Sequence, residues 1–266
     1  MILSDPIFLK LEGKMRMAPE DKLALRKLIQ NRIYSLPARR DLYIEGDPVS
    51  AVRLILDGWA CRYDQLDGGR RQTLELLLPG DMLGLDRLFA DWHHHSACSI
   101  SSLTYALIPR CEIEAVCEQH PQLGGALMWS SSIDMAIQRL WIRSLGGMNA
   151  IQRIAHLFCE LYYRCARVGL AYGTSYTMPM GQRDLAEALG LSTVQINRSV
   201  KVLRTAGLLR WQRPRVEILD LPRLADIGLF KPDYLELDGA AHVEPLGLGF
   251  NLTRLRSAVH DGWSAR

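Results

Sequence analysis

Between residues 181 and 209 the chain reads GQRDLAEALGLSTVQINRSVKVLRTAGLL, a stretch that few arrangements accommodate. Leu185, Ala186 and Leu189 mark one short helix. Gly190 permits a tight turn, and Ser192 can cap a second helix carrying Val194, Ile196, Val200, Val202 and Leu203. Two helices about a short glycine-containing turn make a helix-turn-helix. The segment that follows, LLRWQRPRVEIL, reads as two short strands around a basic turn, a wing on the motif.

Charge gives this unit a partner. The whole chain carries only +3, but residues 181–223 hold eight Lys/Arg against four acids, while the remainder holds 24 against 25. Positive charge gathered on one module suits a nucleic acid. In a helix-turn-helix the second helix turns its N-terminal residues toward base edges in the major groove. Here Thr193, Gln195, Asn197, Arg198 and Lys201 lie on or near its polar side. Double-stranded DNA is therefore the expected partner.

The rest of the chain reads as a second kind of structure. Residues 4–34 form short helices, with Leu23, Leu25, Leu28 and Ile29 at helical spacing. From 42 to 109, short apolar or alternating runs are separated by turn signals at GDP, LDGG and PGD, the pattern of an antiparallel sandwich, barrel or jelly roll. A short helix over 111–120 and a long one, GGALMWSSSIDMAIQRLWIRSL, follow. In the long helix Ala126, Ile133 and Leu140 lie seven apart, with Trp129, Ala136 and Ile137 beside them, a pattern that fits either a seam between two helices or a helix packed on its own domain. The six cysteines are scattered without a CxxC pair and read as small buried hydrophobes; the first 60 residues hold none, which argues against an iron–sulfur cluster. No apolar run reaches the roughly 20 residues of a membrane span, and the start lacks a signal-peptide core, so a cytoplasmic protein is expected.

Over roughly residues 20–230 the chain resembles the Crp/Fnr family of bacterial transcription regulators. The resemblance rests on EGDPVSAVRLILDGWACRY and LLLPGDMLG, the helix near 123–145, QRIAHLF, and RDLAEALGLSTVQINRSVKVLRTAGLL, in that order. It implies an α+β chain: an N-terminal antiparallel β-roll (jelly roll) of cyclic-nucleotide-binding type over 1–121, a long dimerisation helix over 122–147, a C-terminal winged helix-turn-helix over 148–230, and an extension over 231–266. It also implies a homodimer reading a two-fold-symmetric operator, with RNA polymerase as a further partner. Arg198 falls where the family places an arginine that reaches guanine. Val194 stands where several members carry a base-reading Glu, and Gln182, Arg183, Ser192, Thr193 and Arg213 are placed for phosphates. In the extension, Leu248, Leu252, Leu255 and Val259 recur at helical spacing and predict a short amphipathic helix.

The stretch DMLGLDRLFADWHHHSACS carries the family's nucleotide cassette in altered form. Cyclic-AMP-binding members hold the ribose with a Glu and the phosphate with an Arg-Ser pair. Gly84 and Ser96 match that pattern, but Leu85 replaces the Glu and His95 the Arg, and Asp86 could substitute only with a one-residue shift. The pocket therefore reads as degenerate, open at most to an unidentified small-molecule effector. Three consecutive histidines, His93–His95, cannot converge on a metal from a strand, and a solvated loop is expected. No cofactor, resident metal or enzymatic activity is expected. Two rivals stay open: a metal-dependent cupin-like enzyme using His93–His95, and an interaction module without DNA binding.

Overall fold

The computed structural model describes residues 5–13 and 16–237, so the amphipathic helix expected around Leu248–Val259 lies outside the described residues. Two helices, α1 (Asp5–Glu12) and α2 (Pro19–Gln30), precede eight strands: β1 (Ile33–Leu36), β2 (Asp41–Tyr43), β3 (Ala51–Asp57), β4 (Ala60–Gln65), β5 (Arg71–Leu77), β6 (Met82–Leu83), β7 (Ser96–Ser99) and β8 (Leu103–Pro109). These make two four-stranded antiparallel sheets, ordered β1-β8-β3-β6 and β2-β7-β4-β5. Alternation along each strand decides what goes inside. Tyr43, Ile55, Ala60, Leu77, Leu83, Ala97 and Leu103 fill the space between the sheets. β3 is buried on both faces, which is why AVRLILD reads as a nearly continuous apolar run. The hairpin expected at LDGG joins β4 to β5. At the β3–β4 turn Gly58 sits at φ +81°, and a Cβ there would lie 2.0 Å from the Ser102 carbonyl oxygen, so no larger residue fits without a backbone shift.

Two further helices, α3 (Arg110–Gln119) and α4 (Pro121–Gly147), lead to α5 (Ala150–Arg167). Val52, Leu54, Leu56, Ala106 and Ile108 on the outer face of the first sheet pack with Ile7, Leu11, Leu25 and Ile113 and with the start of α4. The outer face of the second sheet, through Cys61, Leu76 and Cys98, belongs to the same apolar cluster as the C-terminal module. That module comprises β9 (Ala171–Tyr172), β10 (Ser175–Thr177), α6 (Gln182–Leu189), α7 (Thr193–Thr205), β11 (Leu209–Gln212), β12 (Arg215–Ile218) and α8 (Leu221–Ile227). Its strands form a third antiparallel sheet ordered β11-β12-β10-β9.

Charged groups tie these parts together. Buried Asp81 accepts from Lys10 at 2.7 Å and from Arg164 at 2.8 Å, joining α1, the roll and α5. Burial alone would raise the Asp81 pKa, but these two cations outweigh it and hold the carboxyl below its ordinary value. The first residues beyond α8 close the same region. Arg167 donates to the Leu235 carbonyl at 2.7 Å and Tyr234 to Glu160 at 3.2 Å.

Part of the apolar set expected to form a seam on α4 is taken up within the protomer. Ala126 is buried with Leu123 and Leu127 against the roll, and Ile133 (4% exposed) and Ile137 (6%) are buried against α5 and the C-terminal module. Trp129, Ala136 and Leu140 are half-buried, and the Trp129 indole donates to Glu236 at 2.8 Å. The helix is apolar on more than one side, and its own protomer buries Ala126, Ile133 and Ile137. The apolar residues left exposed are Met128, Met135 and Ile142, again seven apart but shifted by two positions, with Leu145 beyond.

Candidate nucleic-acid interface and a remodelled nucleotide cassette

α6 and α7 are positioned by three local devices. The Asp184 carboxylate accepts from the Gly181 amide at 2.7 Å and so caps its own helix. Gly190 takes the left-handed conformation at φ +61°, which ends α6 and turns the chain. Ser192 Oγ accepts from the Gln195 amide at 3.2 Å, while Gln195 Oε1 accepts from the Ser192 amide at 2.9 Å, a capping box that starts α7. The Gln195 carbonyl oxygen is thus committed to the helix start, leaving only its NH2 free for outside contacts. The sequence S-T-V-Q carries that signal.

Ile196, Ser199 and Leu203 bury one side of α7. The opposite side is open: Thr193, Val194, Gln195, Asn197, Arg198 and Lys201 are exposed, Val194 at 74%. Val194, Arg198 and Lys201 stand at i, i+4 and i+7 and share one face. Neither Arg198 nor Lys201 makes an ion pair with a described residue. Gln182, Arg183 and Ser192 are exposed around the start of the motif, with Arg183 held by Glu187 at 3.0 Å. The wing is the β11–β12 hairpin, with Gln212 paired to Arg215 and exposed Arg213 in the turn between them. The DNA-facing residues read from the sequence are therefore all exposed, at the start of α6, along α7 and in one hairpin.

One contact was not legible in the sequence. Arg39, in the loop between β1 and β2, forms a fork on Asp184 at 2.5 and 2.7 Å and so ties α6 to the roll. Burial works against charge on Asp184, but the Arg39 fork and the Gly181 amide outweigh it and keep the carboxyl below its ordinary value.

In the altered cassette Gly84 sits at φ +92° before a short 3-10 turn over Leu85–Arg87. Leu85 is half-buried and packs against the helical core. Asp86 is engaged by both guanidinium nitrogens of Arg62 at 2.9 Å each, and Glu75 lies 3.4 Å from the same group. Burial is the largest influence on Glu75, raising its pKa to about 7 even against Arg62. His95 Nδ1 lies 2.7 Å from Asp64, and Ser96 Oγ accepts from the Glu45 amide at 3.0 Å. Both positions that would face a nucleotide phosphate are thus already bonded within the protein.

The histidine run departs from the expected solvated loop at one residue. His94 is exposed and His95 half-exposed, but His93 is 3% exposed and stacks on Tyr43 with ring centroids 3.6 Å apart. Its backbone is drawn in because His93 N donates to the Asp47 carbonyl at 2.9 Å and Gly46 N to the His93 carbonyl at 2.8 Å. No three His, Cys, Asp or Glu side chains come together as a metal site among the described residues. Burial, aided by Arg53, Arg62 and Arg87, lowers the His93 pKa to about 4.

Since that value lies below the unfolded one, the folded state binds fewer protons, and stability is lost as pH falls from about 6.5 toward 4. At pH 5 the loss from His93 alone is about 2 kcal/mol. His93→Gln, neutral throughout, should lower stability at pH 7 through lost stacking yet show a flatter decline between pH 7 and 5 in urea midpoints. Equal declines in the two proteins would exclude this origin.

Two family models match. A cyclic nucleotide-binding domain covers residues 34–120, and a Crp-like helix-turn-helix domain covers residues 152–227. The transcriptional regulatory protein btr of Bordetella pertussis is 26% identical over 203 residues, 76% of this chain and 83% of that protein. The transcriptional activator protein FnrL of Cereibacter sphaeroides is 26% identical over 211 residues, 77% of this chain and 84% of that one. The solved structure of FixK2 from Bradyrhizobium japonicum aligns with TM-score 0.66 at 25% identity, over 79% of this chain and 98% of that one. No helix among the described residues is long and apolar enough to cross a membrane.

Proposed function

The chain belongs to the Crp/Fnr family of transcription regulators, and from that premise we propose that it binds a two-fold-symmetric operator as a homodimer, independently of cyclic AMP. The carrying observation is the α7 surface: its apolar side is buried while Val194, Arg198 and Lys201 stand exposed on one face beside the wing. A helix offered in this way enters the major groove, and two copies read half-sites one helical turn apart, roughly 34 Å between centres. The protein acts in the cytoplasm, where the DNA is, and RNA polymerase is its partner once bound. Selection of bound duplexes from a random library tests the reading. Enrichment of an inverted repeat is expected, and recovery of no sequence preference would overturn it.

Pairing of protomers runs along α4 through Met128, Met135 and Ile142, because these are the apolar groups that one protomer leaves in water. Cyclic AMP finds neither of its family partners. Leu85 accepts no hydrogen bond from a ribose, and His95, engaged by Asp64, lacks the bidentate fork of an arginine. Titration calorimetry with cyclic AMP is expected to show no heat of binding and no change in operator affinity, and micromolar binding would refute this part of the reading. An effector, if one acts here, is a smaller or differently charged molecule that leaves the Arg62–Asp86 fork in place.

A further inference from the structure

Two thiols meet on the face of the roll that supports the DNA-binding module. Cys61 on β4 and Cys98 on β7 are direct cross-strand partners, and their sulfurs lie 3.5 Å apart. Directly opposed residues of an antiparallel pair hold their Cα atoms about 4.5–5.5 Å apart, inside the range a disulfide requires. Only the sulfurs must move, by rotation about the Cα–Cβ bonds, to reach the bond length of about 2 Å. Both side chains point away from the roll interior, since their neighbours Ala60 and Ala97 are the ones that point in. They belong instead to the apolar cluster that includes Leu185, Ala188 and Leu189 of α6.

The pair also adjoins the clamp on α6. Ser99, next to Cys98, accepts from the Arg39 amide at 2.9 Å through its carbonyl, and Arg39 holds Asp184. Displacement of β7 at Cys98 is therefore passed to the residue that seats the helix-turn-helix. We propose that Cys61 and Cys98 form a redox modification site, at which a hydroperoxide converts the two thiols into a cross-strand disulfide that loosens α6 on the roll.

The chemistry balances with the peroxide as the sole oxidant. Cys98 sulfur attacks one peroxide oxygen, the O–O bond breaks, and the other oxygen leaves with a proton from the site, as water from hydrogen peroxide or as an alcohol from an organic hydroperoxide. Cys61 sulfur then attacks the Cys98 sulfenic acid; the S–S bond forms, the S–O bond breaks, and a water leaves. The thiols give up two electrons and the peroxide takes them. Cys98 is the attacking member. The contact with Cys61, together with Arg71 Nη1 3.9 Å from its sulfur, holds the Cys98 thiol below its ordinary value, whereas the same contact and burial raise Cys61.

The test treats the reduced full-length protein with a small molar excess of hydrogen peroxide and follows it by non-reducing peptide mapping and amide hydrogen exchange. A Cys61–Cys98 linkage is expected, with exchange over residues 182–189 faster by about ten-fold and both changes reversed by dithiothreitol. Cys61→Ser and Cys98→Ser should each abolish both changes, whereas replacing exposed Cys111 with serine should not. The proposal fails if Cys61 and Cys98 can still be alkylated after Cys111 has been oxidised. It fails equally if the disulfide forms in the wild-type protein and exchange over 182–189 is unchanged.

Discussion

Replacing Ile142 by aspartate is expected to leave a folded monomer whose operator affinity is reduced by about a hundred-fold or more. Ile142 is 71% exposed in the single protomer, so the substitution buries no charge within the chain. In a dimer joined along α4 the same position lies between two helices, and two facing carboxylates there would be desolvated and mutually repelled. The loss on DNA is larger than any single contact because the second half-site is bound intramolecularly in a dimer, a gain of about 10²–10⁴ that a monomer forgoes. Light scattering at micromolar concentration and operator titration measure the two effects, and circular dichroism confirms the fold. A variant that remains dimeric would show that the Met128–Met135–Ile142 stripe is not the interface. Ile133→Asp serves as the contrast: at 4% exposure it places a charge in the protomer core, so it should unfold the chain rather than split a dimer.

That contrast shows where local pattern is sufficient and where it is not. The helix-turn-helix was legible because its determinants are local: a glycine turn, a serine cap and an apolar period within about 25 residues. Its reciprocal cap, Gln195, was legible too, since S-x-x-Q is a capping box. The strands of the roll announced themselves by alternation and turns, but their pairing, such as β4 between β5 and β7, is set by contacts distant in sequence. On α4 the period leaves the partner open, because Leu123, Ala126, Ile133 and Ile137 face inward while Met128, Met135 and Ile142 face out. With apolar residues on both sides, the partner of each side is a tertiary fact. His93 is a second case. Three adjacent histidines look solvated, and only Tyr43 and the turn at 46–47, some 50 residues earlier, draw the first of them inside. The Arg39–Asp184 fork spans 145 residues and leaves no local trace at all.

Arg198→Ala is expected to cost roughly 1–3 kcal/mol on the selected operator and to relax the preference at one base pair of each half-site. Arginine presents two parallel donors that match guanine O6 and N7, and nothing among the described residues competes for the Arg198 guanidinium. Val194, one turn earlier on the same exposed face, cannot accept from cytosine N4 but can pack on a thymine methyl. The half-site should therefore keep its arginine-read guanine and differ from the cyclic-AMP-type site at the pair facing Val194. Arg213 provides the internal control. It lies in the turn of the wing hairpin, where on the proposed reading it would meet phosphate, a contact that carries no sequence information. Arg213→Ala should weaken all duplexes alike and reduce the salt dependence of binding by about one charge. Competition binding across a panel of single-base operator variants separates the two behaviours. If Arg198→Ala bound the operator with unchanged affinity and selectivity, α7 would not be lying in the major groove with this face toward the bases.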